Sequence, residues 1–133
     1  MAQLRCVVVT PEATALDQES SFVVVPLFDG EFGIGPGHAP MIGRLGFGEL
    51  RVKSPAGQVD RYYVDGGFVQ VSDDLVTLLT GRMLPASEVD AAAAATQLRE
   101  AMRRPVTTDE LLQLRDRAVQ QARAQIRLAR RNA

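Results

Sequence analysis

The fold of this chain turns on one segment, Asp29-Gly30-Glu31-Phe32-Gly33-Ile34-Gly35-Pro36-Gly37-His38-Ala39-Pro40. Its four glycines permit backbone conformations and close approaches that a Cβ would obstruct. Pro36 and Pro40 fix φ and remove two amide donors. This composition predicts a shaped loop rather than an ordinary strand or helix. A surface with so much built-in geometry indicates docking rather than catalysis.

Length and charge predict two units. The 133 residues are enough for one domain with a core of about 85 residues and an appendage. Residues 1–85 carry six basic and ten acidic side chains, whereas residues 86–133 carry nine and six, so the net charges are −4 and +3.

No run approaches the roughly 20 apolar residues that span a bilayer, so we expect a cytosolic chain that reaches membranes only through partner proteins.

The first unit has the pattern of a small antiparallel β-sandwich, because short β-rich runs alternate with turn formers. Ser54–Gly57 and Ser72–Asp74 are predicted to be hairpin turns. Since no crossover helix separates the runs, a parallel sheet is not expected. The predicted strands are Cys6–Val9, Ser21–Val25, Glu49–Lys53, Val59–Val64, Phe68–Val71 and Leu75–Thr80, with a turn at Asp65–Gly67.

After Pro85 the composition changes to alanine-rich helical patterns. Two helices are predicted, about 87–103 and 108–131, and together they form a hairpin. Their facing stripes are mostly alanine and bury little area per residue, so this hairpin is predicted to be only marginally stable by itself. The predicted capping boxes are Ser87 with Asp90 and Thr107 with Glu110.

The presence of only one histidine and one cysteine argues against catalysis. His38 is the only histidine and Cys6 the only cysteine, so a catalytic triad, a multi-histidine metal site and a structural zinc site each lack parts. Cys6 lies in an apolar run and is predicted to be a small buried hydrophobe. The His38 ring is predicted to hydrogen-bond to the backbone of its own loop. We therefore expect no enzyme activity, no cofactor and no metal.

A glycine pattern continues from residues 29–40 through Gly43, Gly46 and Gly48 to Asp65-Gly66-Gly67-Phe68-Val69-Gln70-Val71. This pattern resembles the signature of the epsilon subunits of F-type ATP synthases, and the resemblance spans nearly the whole chain. It implies a non-catalytic central-stalk subunit whose β-sandwich links the gamma subunit to the membrane c ring for ion-gradient-driven ATP synthesis. It also implies a peripheral location on the cytoplasmic face of the bacterial inner membrane.

The resemblance assigns the segment 29–40 to the base of the sandwich, against the polar loops of the c ring. In that setting Glu31 offers a carboxylate to a basic loop residue. The side chains that offer contact area are Phe32, His38 and Met41. The alternative interpretation of the same residues is a solvated turn without a partner.

A cationic strip is predicted on the last helix, at helical spacings of three or four with no acidic residue after Asp116 to offset it. Like charges at this spacing repel, and an acidic partner would relieve the repulsion. The resemblance implies the acidic loop of the catalytic beta subunits as partner; a solvated face is the alternative. Nucleic acid is not expected, because interleaved aromatics are missing and the total charge is slightly negative. This Arg strip comprises Arg123, Arg127, Arg130 and Arg131.

Some members of the resembled family bind ATP in the hairpin, through aspartate and arginine on the first helix and arginines on the second. Asp90, Arg123 and Arg127 match that pattern as nucleotide contacts. Ala93 and Glu100 stand where arginines belong. Two charge-assisted hydrogen bonds, each worth about 1.5–3 kcal/mol, are thereby lost, so tight ATP binding is not expected.

The sequence is therefore interpreted as an antiparallel β-sandwich that carries load between gamma and the c ring, followed by a helical hairpin. We hypothesise that the hairpin leaves the sandwich, extends along gamma and inhibits ATP hydrolysis. The Arg strip and the alanine-rich packing motivate this hypothesis. The main alternative from another class is a small ligand-binding β-sandwich module with a helical oligomerisation tail.

Overall fold

The computed structural model describes residues 3–132, which form eight β-strands, a short 3₁₀ helix and two α-helices. The chain divides into two compact units, with the boundary between Pro85 and Ala86. An all-strand sandwich followed by a helical hairpin confirms the predicted fold class. The strands are β1 (Leu4–Val9), β2 (Thr14–Ser20), β3 (Phe22–Leu27), β4 (Gly30–Ile34), β5 (Met41–Lys53), β6 (Val59–Ser72), β7 (Leu75–Leu79) and β8 (Met83–Pro85).

Two strands, β5 and β6, are long enough to contribute to both layers of the sandwich. β6 pairs with β7 through Phe68–Ser72 and with β8 through Tyr62–Val64. β5 and β6 pair with each other in one register, which runs from Met41 opposite Val71 to Lys53 opposite Val59. One layer is therefore β2-β1-β7-β6-β5, and the other is β8-β6-β5-β3-β4.

The core lies between the two layers and consists of alternate residues of each strand, as the two-residue period of a strand requires. Leu4, Cys6 and Val8 of β1 are buried in one cluster with Val23 and Val25 of β3. The predicted burial of Cys6 is thus confirmed. Burial raises the pKa of its thiol to about 12, so the reactive thiolate is scarce near neutral pH.

Part of the glycine-rich segment is a strand, so the prediction that the segment forms only a loop was wrong. β4 pairs antiparallel with β3, from Val23 opposite Ile34 to Leu27 opposite Gly30. A Cβ on Gly33 would lie 2.6 Å from Cζ of Phe22. Glycine at this position therefore lets an aromatic ring lie close to an edge strand, and the loop itself is confined to residues 35–40.

β6 is one continuous strand, whereas the sequence predicted two strands separated by a turn at Asp65–Gly67. Gly66 and Gly67 have φ values of +73° and +108°, which residues other than glycine rarely adopt. A Cβ on Gly67 would lie 1.8 Å from the carbonyl oxygen of Leu79. The two glycines therefore allow a close backbone approach within the strand without changing its register with β5.

Three further differences concern strand pairing. β2 was not predicted, because its residues are mostly polar and exposed and lack an apolar alternation. β5 begins at Met41 rather than Glu49, so three glycines lie within it. β1 and β7 pair in parallel, contrary to the expectation of a wholly antiparallel sheet. A helix is not needed there, because the five intervening strands supply the return path.

The helices α1 (Ala91–Met102) and α2 (Asp109–Arg130) pack against each other as the predicted hairpin. α1 is shorter than predicted, since residues 86–88 form a 3₁₀ turn instead of its first turn, whereas α2 is shorter by one capping residue at each end. Small side chains dominate the buried positions, which fits the expectation of limited apolar burial. The buried residues are Ala94 and Ala101 in α1, and Val119, Ala122, Ala124, Gln125 and Leu128 in α2.

The helix caps differ from the predicted ones. Asp90, rather than Ser87, caps α1, and its carboxylate accepts hydrogen bonds from the amides of Ala92 and Ala93. Ser87 is unavailable because it lies inside the 3₁₀ turn. Thr108, rather than Thr107, caps α2 by accepting from the amide of Leu111. The extended backbone of Asp90 and Thr108 is the conformation that an N-cap requires.

Candidate functional site

The loop at residues 35–40 is held by the contacts of one imidazole ring. Nδ1–H of His38 donates to the carbonyl oxygen of Ala39 at 2.7 Å, which confirms the predicted bond to the loop backbone. The His38 ring also meets Phe32 edge-on, with centroids 5.5 Å apart and an interplanar angle of 80°. The structure therefore brings together two of the four predicted contact residues.

A residue that the sequence did not single out fixes this loop to the sandwich. Asp74 Oδ1 accepts a 2.7 Å hydrogen bond from the amide of Gly37, and the Asp74 carbonyl accepts another from the amide of Arg5. Asp73 and Asp74 both have positive φ, at 51° and 60°, in the two-residue turn between β6 and β7. The hairpin turn was predicted, but its role as an anchor depends on a contact 37 residues away in sequence.

Glu31 lies on the edge strand β4 and is already paired. Nη1 of Arg51 donates to Oε2 of Glu31 at 2.6 Å, and the Glu31 side chain remains 49% exposed. The pKa of the Arg51 guanidinium is raised, mainly by the hydrogen bond to Glu31 and next by that to Glu49. Met41, the last predicted contact residue, packs partly buried against the core. Of the four residues, Phe32 and His38 are thus in direct contact, Glu31 is paired with Arg51, and Met41 packs with Phe32 against the core.

Glu49 and Arg61 continue this ion-pair network along the sheet. Nη1 of Arg51 also donates to Oε1 of Glu49 at 2.9 Å. Nε and Nη2 of Arg61 donate to Oε2 of Glu49, at 2.9 and 2.6 Å. Only 6% of the Glu49 side chain is exposed, so two guanidinium groups compensate a carboxylate that is almost removed from water.

The outer side of the β5-β6-β7 layer is apolar, although it does not face the core. Ile42, Phe68 and Leu79 are 77%, 57% and 54% exposed. They border a shallow groove of about 170 Å³ that Val69, Gln70 and Thr77 also line. Val69 is buried at the floor of the groove, and we call the other five residues the docking face, since contiguous exposed apolar surface marks interaction sites.

The docking face was missed at the sequence level because both faces of β7 are apolar. Val76 and Leu78 point into the core, while Leu75 and Leu79 are exposed on the opposite side. A half-buried strand would alternate apolar with polar residues. The signal that could have revealed the surface is therefore the failure of this alternation.

Three residues of the Arg strip lie on α2 and the fourth, Arg131, is its C-cap; all four are exposed. Arg127 and Arg130 are in the last turn, where cations favourably face the negative end of the helix dipole. The Asp90 carboxylate accepts the hydrogen bonds that cap α1. Between residues 3 and 132, no hydrogen bond or ion pair joins Asp90 to Arg123 or Arg127, so the predicted nucleotide contacts do not form a preassembled site.

Other kinds of site find no support in the described chain. Within residues 3–132, no group of three or more histidine, cysteine, aspartate or glutamate side chains has the arrangement of a metal site. Neither of the two α-helices in that range is both long enough and apolar enough to cross a bilayer.

The fold and these surfaces define a class of protein. The sequence profile of the ATP synthase delta/epsilon chain β-sandwich domain matches residues 3–86. The ATP synthase epsilon chain of Rhodopirellula baltica is 53% identical over 127 residues, covering 96% of this chain and 98% of that relative. The epsilon chain of Granulibacter bethesdensis is 36% identical, covering 98% and 99%. The chain therefore belongs to the family of ATP synthase epsilon chains, which are non-catalytic subunits of the F-type enzyme.

Similar folds occur in two solved assemblies. A chain of the Euglena gracilis mitochondrial ATP synthase, solved with OSCP, F1 and the c-ring, has a TM-score of 0.83 at 24% identity, covering 93% of this chain and 79% of that one. A chain of the Tetrahymena thermophila central stalk and c-ring has a TM-score of 0.72 at 16% identity, covering 95% and 96%. At these identities the likeness concerns the fold.

Proposed function

We propose that this subunit belongs to the central stalk and links the gamma subunit to the c ring, on the cytoplasmic face of a bacterial inner membrane. The similar folds found in F1/c-ring and central stalk/c-ring assemblies support this position. In this role the sandwich transmits torque for ion-gradient-driven ATP synthesis, while the hairpin restrains ATP hydrolysis.

The docking face is the observation that carries the proposal, and gamma is its proposed partner. Without a partner on this face, Ile42 and Phe68 would keep more than half of their accessible surface in water. Contiguous apolar surface of this kind marks an interaction site. A small-molecule ligand suits the surface poorly, because the groove of about 170 Å³ is smaller than the roughly 300–1,000 Å³ of typical ligand pockets. An open apolar surface of this kind fits another protein.

Mixing the purified chain with purified gamma tests this proposal. The two are expected to elute together at one-to-one stoichiometry in size-exclusion chromatography. A chain that elutes alone, or as a dimer that ignores gamma, would favour the ligand-binding module with an oligomerisation tail. The same column run without gamma serves as the reference for both outcomes.

The loop residues are proposed to face the polar loops of the c ring. Phe32 and His38 offer a joined ring surface, and Glu31 offers a half-exposed carboxylate. Met41 is partly buried and is therefore proposed to support this surface from below as well as to touch the partner.

The Arg strip is proposed to bind the acidic loop of the catalytic beta subunits when the hairpin extends. Its support is the exposure of four cations on α2 and its C-cap, together with the small side chains at the buried positions of both helices. Limited apolar burial lowers the free energy needed to separate the helices, which places the hairpin at the low-stability end of the molecule.

Replacing Arg123 and Arg127 with alanine is expected to weaken inhibition of ATP hydrolysis by about two- to thirtyfold, since two exposed ion pairs contribute about 0.4–2 kcal/mol. The measurement is ATP hydrolysis by the assembled enzyme at several salt concentrations, and the variant should respond less to salt. Arg103→Ala with Arg104→Ala removes the same charge from the exposed turn between the helices and is the matched control. Equal effects of the two pairs would rule out a specific acidic partner for the strip.

A further inference from the structure

Four charged side chains, supplied by three strands of one layer, form a continuous arm that crosses β3 between β5 and β4. In order along the arm they are Arg61 on β6, Glu49 and Arg51 on β5, and Glu31 on β4. Glu49 is the buried point of the arm: its side chain is 6% exposed, against 25% for Arg61 on one side, and exposure rises on the other side to 29% for Arg51 and 49% for Glu31. The arm is therefore anchored in the sheet and ends at the surface.

The anchor determines where Arg51 points. Glu49 is nearly buried and needs the positive charge of Arg51 as well as that of Arg61. Because the same Nη1 atom of Arg51 donates to both Glu49 and Glu31, the position of this nitrogen is set by Glu49 and passed on to Glu31. A glutamate on an edge strand would otherwise sample several rotamers.

Only one oxygen of Glu31 is used in this arrangement. Oε2 accepts from Arg51 at 2.6 Å, whereas Oε1 makes no hydrogen bond within the described residues 3–132. A carboxylate has lone pairs on both oxygens and accepts two cationic donors at once. The fixed orientation thus leaves one oxygen ready for a donor from outside the chain.

We propose that Arg51 is a positioning residue that holds Glu31 so that its Oε1 meets a lysine or arginine side chain on the polar loops of the c ring. The inference rests on the proposed function, in which this part of the sandwich faces the ring. Fixing Glu31 in advance removes the cost of ordering its side chain when the ring binds. Arg51 itself makes no contact with the ring in this scheme.

The test uses the assembled synthase in inside-out membrane vesicles and measures ATP-driven ion pumping relative to ATP hydrolysis. Glu31→Gln is expected to lower this coupling ratio about two- to fivefold, as the loss of one exposed ion pair implies. Arg51→Gln should lower it comparably, and Arg51→Lys should recover part of the loss because it retains a cation. The double variant should be no worse than Glu31→Gln alone, since Arg51 acts through Glu31.

Arg5→Gln is the matched control. It removes an arginine from a 2.7 Å ion pair with Asp17, on strands β1 and β2 of the other layer, and should leave the coupling ratio unchanged. The thermal unfolding midpoint of each isolated chain separates loss of stability from loss of positioning. Where Arg51→Gln does not assemble, Arg51→Lys with and without Glu31→Gln makes the same comparison.

The outcomes separate the inference from the function on which it rests. An unchanged coupling ratio for Glu31→Gln would show that Glu31 does not contact the ring. The proposed role of Arg51 would then be wrong as well. A lowered ratio for Glu31→Gln but not for Arg51→Gln would overturn positioning alone. A double variant worse than Glu31→Gln would also overturn it, because Arg51 would then act independently of Glu31.

Discussion

Alanine in place of Gly67 is expected to lower the free energy of unfolding of the sandwich by about 4 kcal/mol or more, the range of severe single substitutions. The new Cβ would lie 1.8 Å from the carbonyl oxygen of Leu79 and 3.0 Å from Cα of Thr80. Both are backbone atoms, so no side chain can rotate away to make room. The φ of +108° adds backbone strain for any residue with a Cβ.

Gly57→Ala is the control that separates steric overlap from backbone strain. Gly57 also has positive φ, at +95°, but no heavy atom of the described chain lies within 4 Å of its added Cβ. Its cost should be about 1–2 kcal/mol, the strain of a left-handed conformation alone. Urea unfolding followed by circular dichroism measures both variants, and equal losses would show that β6 can shift away from Leu79.

Glutamate in place of Phe68 is expected to weaken the affinity for gamma about 30-fold or more, because losing a central interface aromatic costs about 2 kcal/mol or more. Phe68 borders the groove of the docking face and is 57% exposed. A charge there would have to be desolvated against gamma. The substitution should change the stability of the isolated chain little, since the ring is not in the core.

Surface plasmon resonance with immobilised gamma measures this loss. Val59→Glu is a suitable control, because it also places a glutamate at an exposed apolar position of β6, with Val59 49% exposed but away from the docking face. It should retain wild-type affinity. Wild-type binding by Phe68→Glu would mean that gamma does not use the docking face, and equal losses for both variants would indicate a general effect of charge.

Sequence patterns predicted the features that depend on residues close together in the chain. The change at Pro85, the helical pattern after it and the burial of Cys6 follow from composition and periodicity, and the structure agrees with them. The His38 bond to Ala39 is likewise local. The family resemblance rested on glycines, although those at positions 66 and 67 lie within a strand rather than a turn.

The features that were missed depend on strand register. Arg51 and Glu31 are 20 residues apart in sequence, and Gly37 and Asp74 are 37 apart. Each pair becomes adjacent only when particular strands align, and a shift by one residue would turn the side chains to the opposite face. The charged arm could therefore not be derived without the pairing of β3, β4 and β5, nor the anchor of the loop without the position of the turn between β6 and β7.

The shared strands have a mechanical consequence. β5 and β6 take part in both layers and keep one register over their whole length, so the layers cannot slide past each other without breaking main-chain hydrogen bonds. A twisting force applied at the docking face would then reach β3 and β4 through continuous backbone rather than across a flexible joint. Such a body deforms little under load. A rotation applied to one side of the sandwich would therefore turn the other side by nearly the same angle.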